Sequence, residues 1–141
     1  ILSLILFGGR KKSPTEIKNC ASPELLDAVQ FACEALAGHV RGIGNASVRG
    51  ALALAILNGV EKSIVQSFCA VLRSGINRDA GDISVILLRN MLLTSKTQKS
   101  GSDREKAMRT TQNALKAYIG RVDLKLLKTP ESLIWSAKGV V

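Results

Sequence analysis

Side chains that carry most catalytic and metal chemistry are scarce in this chain. It has one histidine and three cysteines (Cys20, Cys33 and Cys69), and no Cys-x-x-Cys spacing. Zinc sites are built from Cys and His at short, regular spacings, so we expect no metal site and no cofactor. The odd cysteine count, with Cys33 and Cys69 on apolar helix faces, indicates free thiols packed as small hydrophobes. We therefore expect a reducing, cytoplasmic setting.

Aromatic residues and proline are also rare. Aromatics make up 4% of the chain and proline occurs three times, whereas 46% of the residues are hydrophobic, mostly Ala, Leu, Ile and Val. This balance suits close-packed helices better than a β-sandwich, which uses aromatics and many turn residues. No apolar run reaches the length of a membrane span, so we expect no membrane partner.

The first twelve residues differ from the rest of the chain. Residues 1–7 are apolar and form either a buried strand or the last turns of a helix, since periodicity does not separate these over so short a stretch. A basic cluster follows at Arg10, Lys11 and Lys12. Because the stretch has no basic region before it and no starting Met, it is a poor signal peptide. We expect residues 1–12 to be a remnant of a preceding domain, and residues 13–141 to form one helical domain.

Start and stop signals divide residues 13–141 into helices. Ser-Pro-x-Glu begins at Ser13, Ser-Pro-Glu begins at Ser22 and a capping box begins at Ser102, and glycines follow several apolar-periodic stretches. The fold class predicted is all-α, a single compact domain of five or six helices. The predicted helices lie near 14–20, 22–38, 45–57, 60–73, 82–93 and 102–119. Beyond them we expect a short edge strand or turn at 122–126.

The apolar positions predict which helix faces turn inward. Helix 45–57 is apolar nearly all round, so we expect it to be central and the most buried. Asp82 is expected to cap the helix that follows it. The other predicted inward residues include Leu25, Leu26, Val29, Cys33 and Leu36; Ile83, Ile86, Leu87 and Met91, with Leu88 and Leu92 on the flank; and Met108, Thr111, Leu115, Tyr118 and Ile119.

Positive charge is concentrated in the last third of the chain. The net charge is +9; residues 96–141 carry ten Lys or Arg against four Asp or Glu, and residues 1–95 carry ten against seven. A basic loop that leads into a basic helix can hold phosphates, and scarce aromatics disfavour stacking on single strands. The expected partner is therefore the backbone of duplex nucleic acid. The predicted contact residues are Lys96, Lys99, Arg104, Lys106, Arg109, Lys116, Arg121, Lys125 and Lys128.

Other interpretations of these features stay open. The basic residues also fit an ordinary solvated face, and helices 45–57 and 82–93 look too apolar for a monomer, which predicts a homo-oligomer or a protein-interaction domain. An enzyme is the least favoured, because His39, in a glycine-rich loop near Arg41, has no nucleophile or carboxylate nearby in sequence. The glycines at 38, 42 and 44 follow a helix and precede no Lys-Ser/Thr, so they indicate a helix–helix turn and not a phosphate loop.

The order of several helical segments resembles a known group of proteins. The segments are NASVRGALALA at 45–55, FCAVLRSG at 68–75, AGDISVILLRN at 80–90, ALKAYIG at 114–120 and LKLL at 124–127. Together they are similar to the C-terminal helical region of phage- and plasmid-type proteins, many of which begin with a ParB/sulfiredoxin-like domain. That domain is absent from this chain, so its chemistry is not carried over. The resemblance, over roughly residues 13–135, implies an accessory helical domain in a mobile-element context.

Overall fold

The computed structural model describes residues 22–38, 43–94 and 101–137. These residues contain no strand, and residues 122–126 are irregular, which confirms the all-α fold class. The predicted segment 1–12, the helix near 14–20, His39, Lys96 and Lys99 lie outside the described residues. The helices are α1 (Pro23–Ala35), α2 (Ala46–Leu57), α3 (Lys62–Ser74), α4 (Asp82–Thr94) and α5 (Gly101–Ile119).

Short polar side chains begin the first two helices. Ser22 caps α1 as predicted, and for α2 the sequence allows either Asn45 or Ser47, of which Asn45 is the cap. The Ser22 hydroxyl oxygen accepts a hydrogen bond from the Leu25 amide at 3.1 Å, and the Asn45 side-chain oxygen accepts one from the Val48 amide at 3.0 Å. Each bond satisfies an amide that has no partner inside its helix. Local sequence therefore fixes where α1 and α2 start.

The role predicted for Asp82 is wrong. It is the first residue of α4 and not its cap, and its carboxylate accepts hydrogen bonds from the amides of Arg78 and Asp79, both at 3.0 Å. These two residues precede the helix, so the buried carboxylate holds the α3–α4 loop in place. The prediction failed because a carboxylate at a helix start can bond amides on either side of itself.

Helix α2 occupies the centre of the molecule, as its composition predicts. Ser47, Val48 and every residue from Gly50 to Ala55 are buried, and α2 packs against α1, α5 and α3. Its many alanines let neighbouring helices approach closely on several sides. The expectation that this helix is too apolar for a monomer is wrong, because the single chain covers it.

Other predicted inward positions need correction. In α4 the buried positions include Ser84, Val85, Leu88 and Leu92, whereas Ile83, Ile86 and Leu87 are half-buried. A helix with apolar residues on most sides does not define its inner face by pattern alone. Near helix ends, Leu26 and Ile119 are 44% and 40% exposed.

The chain after α5 turns back along that helix, and we call residues 122–137 the return segment. Gln112 of α5 is buried and fixes it: its Nε2 donates to the carbonyl of Trp135 at 2.9 Å, and its Oε1 accepts from the amides of Ile134 and Trp135 at 2.9 and 3.0 Å. The same Nε2 donates to the Ala51 carbonyl of α2 at 3.2 Å. The Trp135 ring is half-buried against the core, so a polar bridge and an aromatic anchor act together.

Candidate nucleic-acid interface

Three predicted phosphate-contact residues share the outer side of α5. Lys106, Arg109 and Lys116 are spaced three and seven residues apart, which places them on one helix face. Lys106 and Lys116 are exposed, whereas Met108 and Leu115 on the opposite side are buried. At about 1.5 Å per residue, the row extends for about 15 Å along the helix.

The return segment brings further cations to the same side of α5. The Asn113 side chain donates to the Lys128 carbonyl at 2.9 Å, and the hydroxyl oxygens of Thr110 and Thr129 lie 2.7 Å apart. These bonds hold Lys128 next to the exposed row of α5. Lys125 is exposed and three residues earlier, so it is within about 11 Å of Lys128 along the chain, and it is grouped with Lys128 on this closeness in sequence. We call these five cations the basic face: Lys106, Arg109, Lys116, Lys125 and Lys128.

Arg109 differs from the four lysines of the basic face because it is partly used inside the molecule. Its Nη1 donates to the carbonyl of Glu131 at 2.8 Å, and its Nε is buried without a hydrogen-bond partner. The side chain therefore braces the return segment against α5. Its positive charge stays beside the lysines, although fewer of its donors point to solvent.

Two of the predicted residues lie away from the basic face. Arg104 is two residues before Lys106 and so points to a different side of α5; it is half-buried. Arg121 follows the end of α5 with a φ of 53° and lines a cleft with Asp79 and Asp82. A left-handed backbone at a non-glycine residue is uncommon. Helix α5 itself ends at Ile119, before Gly120, as the sequence predicts.

Acidic partners do not neutralise the lysines of the basic face. The described ranges contain one ion pair, in which the Lys62 Nζ of α3 lies 2.7 Å from the Asp27 Oδ2 of α1. The ammonium groups of Lys106, Lys116, Lys125 and Lys128 make no ion pair with any residue of that part of the chain. A direct ion pair therefore cancels none of these four charges.

A polar cleft of about 400 Å³ lies at the other end of α5, and sequence reasoning missed it. Its lining comes from α3, the α3–α4 loop, the start of α4 and the end of α5: Ser63, Ile64, Ser67, Asp79, Ala80, Asp82, Tyr118, Ile119 and Arg121. The Tyr118 ring meets Phe68 edge-on, with 5.7 Å between ring centroids. In the sequence, this cleft could have been suspected from Ser63 and Ser67, because their spacing of four residues on an amphipathic helix places both hydroxyls on one side.

Cys69 is the buried one of the two cysteines within the described ranges. Burial raises the pKa of the Cys69 thiol from 9.0 to about 12, which the charge of Arg73 only partly offsets. A thiol in that state is a poor nucleophile. Cys33 is free and half-buried, and the described residues contain no group of three or more His, Cys, Asp or Glu that could hold a metal ion.

Among the described residues, no helix combines the length and the apolar character needed to cross a bilayer. No family model, curated protein or solved structure matches this chain.

Proposed function

We propose that this domain binds the phosphate backbone of duplex nucleic acid through the basic face, without catalysis. The observation that carries the proposal is the alignment of Lys106, Lys116 and Lys128 along α5 and the segment bonded to it. The lysines of this surface have no carboxylate partner among the described residues. They are therefore available to exchange counterions with a polyanion.

The dimensions of the basic face suit a short stretch of duplex. A row of about 15 Å covers about four base pairs at 3.4 Å per base pair. Lysine ammonium groups act as hydrated point charges and make contacts that do not depend on base identity. The domain is therefore proposed to bind many sequences with similar affinity, and partners or linked domains would supply any sequence preference.

The salt dependence of binding tests this proposal. With a fluorescently labelled duplex and anisotropy as the readout, four lysine–phosphate contacts predict a slope of about −3.6 in log K against log [salt]. The double variant Lys106→Gln/Lys116→Gln should make the slope shallower by about 1.8. A control with the same charge change, Lys62→Gln/Arg73→Gln on α3, should leave the slope unchanged.

Two results would count against the basic face. If the affinity for duplex does not change between low and moderate salt, the domain does not bind through phosphate contacts. An equal loss in the α3 double variant shows attraction to net charge and not to a defined surface. Circular dichroism of each variant establishes that the helices are intact.

The setting of the domain is a further part of the proposal. A mobile-element context is included because the helical segments at 45–55, 68–75, 80–90 and 114–120 resemble those of phage- and plasmid-type proteins. A cytoplasmic location is supported by the free thiols of Cys33 and Cys69, since reducing compartments keep thiols unpaired.

A second candidate function is self-association through α4. Its outer side carries the half-buried Ile83, Ile86 and Leu87, and Leu93 near its end is 43% exposed. An apolar helix side of this kind can pair with a second copy of itself. Light scattering over a range of protein concentrations tests this, with Leu93→Lys as the disrupting variant. A constant monomer mass at all concentrations rules it out.

A further inference from the structure

We propose that the polar cleft at the end of α5 binds a small zwitterion, specifically a free amino acid with an aliphatic side chain. This inference is independent of nucleic-acid binding, because the cleft and the basic face share no residue. It rests on the size of the cleft, its fixed walls and the placement of its charges.

The size and construction of the cleft suit a small ligand. Its volume of about 400 Å³ falls in the range of about 300–1,000 Å³ that is usual for ligand pockets. Gly81 brings the α3–α4 loop against the end of α5: its φ is 92°, and a Cβ there would lie 3.1 Å from the Tyr118 carbonyl oxygen and the Arg121 Cα. The Gly81 amide also donates to the Asp123 carboxylate at 2.8 Å. The walls are therefore held before any ligand arrives.

The free charges of the cleft are one of each sign. The Asp82 carboxylate is buried and already accepts two backbone amides. The Asp79 carboxylate and the Arg121 guanidinium are exposed and form no ion pair, with each other or with any other residue of the described ranges. Opposite charges that share a cleft without pairing provide separate partners for the two ends of a dipolar ligand.

The charges of Asp79, Asp82 and Arg121 all affect the pKa of the Tyr118 hydroxyl. Burial raises the pKa of its hydroxyl, and the carboxylates of Asp82 and Asp79 raise it further. The nearby Ser67 hydroxyl and the charge of Arg121 lower the pKa. The hydroxyl is therefore kept protonated, and it can donate a hydrogen bond to a ligand oxygen.

The remaining lining defines the rest of the ligand. Ile64, Ala80 and Ile119 supply apolar surface, which suits an aliphatic side chain. A carboxylate would pair with Arg121 and an ammonium group with Asp79. A simple anion would instead meet two carboxylates, and a simple cation would meet the guanidinium, so each is disfavoured by a like charge.

Three related probes separate the two charged contacts. In 1H–15N NMR titrations, L-leucine should shift the amides of Ser63, Ser67 and Ala80 in a saturable way. N-acetyl-L-leucine, which has no ammonium group, and L-leucinamide, which has no carboxylate, should each bind at least about tenfold more weakly, since each loses one charge-assisted hydrogen bond.

Variants of the two charged residues complete the test. Asp79→Asn should weaken the binding of leucine about tenfold and leave the affinity for N-acetyl-leucine unchanged. Arg121→Asn should weaken the binding of leucine about tenfold and leave the affinity for leucinamide unchanged. Asparagine is chosen at 121 because it tolerates a left-handed backbone, and Arg121→Gly is a second variant that also adopts it. Lys106→Gln, about 18 Å away from Tyr118 along the α5 axis, is the control and should bind leucine as the unaltered chain does.

Each of the following results would overturn the proposal. Leucine gives no saturable shifts in the cleft, or its shifts fall on residues elsewhere in the molecule. The two blocked compounds bind as tightly as leucine. The Lys106→Gln control weakens leucine as much as the cleft variants do.

Discussion

Helix α2 and the return segment are both held against α5, but by different kinds of interaction. In α2 every residue from Gly50 to Ala55 is buried, and its contacts are mainly apolar. The return segment has no regular structure, and polar side chains of α5 hold it at Arg109, Thr110, Gln112 and Asn113.

The difference separates two ways of fixing a backbone. Between its ends a helix satisfies its own amides and carbonyls, so the middle of α2 is held mainly by apolar surface around it. An irregular segment has backbone groups without internal partners, and other residues must supply them when the segment is buried. The polar side chains of α5 do this, and in doing so they determine where Lys128 lies.

The largest expected effect is in the central helix. Leu52→Ala removes a fully buried side chain and should lower the free energy of unfolding by about 3 kcal/mol. Urea denaturation followed by circular dichroism measures this. Because the return segment packs on the same core, fluorescence of the single Trp should shift to lower urea together with the helical signal. Leu126→Ala, at a side chain that is 70% exposed, is the control and should have little effect. If the urea midpoint of the Trp fluorescence stays unchanged in Leu52→Ala, the return segment does not depend on α2.

Gln112→Leu should have the next largest effect, and it should act first on the return segment. The change removes four hydrogen bonds and leaves the amides of Ile134 and Trp135 without their partner, at a cost of about 2 kcal/mol. Trp135 fluorescence should then change at lower urea than circular dichroism does. Gln66→Leu, on the exposed side of α3, is the matched control.

The same variant links the fold to the proposed interface. If Gln112 positions the return segment, Gln112→Leu should weaken duplex binding although no charge is removed. Coincident fluorescence and circular dichroism transitions, with unchanged duplex affinity, would show that Gln112 does not set the position of the segment.

The stability of the protein at alkaline pH tests the burial of Cys69 in the apolar core. The pKa of Cys69 is about 12 in the folded chain against 9.0 for an ordinary thiol, so the unfolded state loses this proton first as the pH rises. The stabilisation from the buried neutral thiol is complete below pH 9 and is lost towards pH 12, by up to about 1.4 kcal/mol per pH unit. Tyr118 acts in the same direction above pH 10, since its pKa is also raised from 10.0. The measurement is urea denaturation between pH 8.5 and 10.5, and Cys69→Ala should show a shallower decline. Equal declines in both proteins would mean that the thiol is not desolvated.

The smallest expected effect is at the edge of the return segment. Asn113→Ala removes one partly exposed hydrogen bond to the Lys128 carbonyl and should cost about 0.5 kcal/mol. Its urea midpoint is compared with that of Gln112→Leu under the same conditions. A loss as large as that for Gln112 would indicate that the exposed contact, and not the buried bridge, holds the segment.

Local sequence predicted the parts of the fold that depend on near neighbours. The cap at Ser22, a cap at either Asn45 or Ser47, and the central position of α2 followed from residue type and apolar pattern. The common face of Lys106 and Lys116 followed from helical spacing, because the backbone repeats every 3.6 residues whatever surrounds it. In contrast, the inner face of α4 did not follow, since apolar residues occur on most of its sides.

The amino-acid sequence by itself determined the all-α class, most helix limits and the concentration of positive charge after residue 95. Only the tertiary structure decided that Gln112 joins α2 to the return segment and that residues from four separate places form a cleft. It also decided that Lys128 lies beside the exposed row of α5, whereas Arg121 lines the cleft. The physical reason is distance along the chain. Propensity, capping and periodicity act over a few residues, whereas Ala51 and Gln112 meet only after the helices have packed.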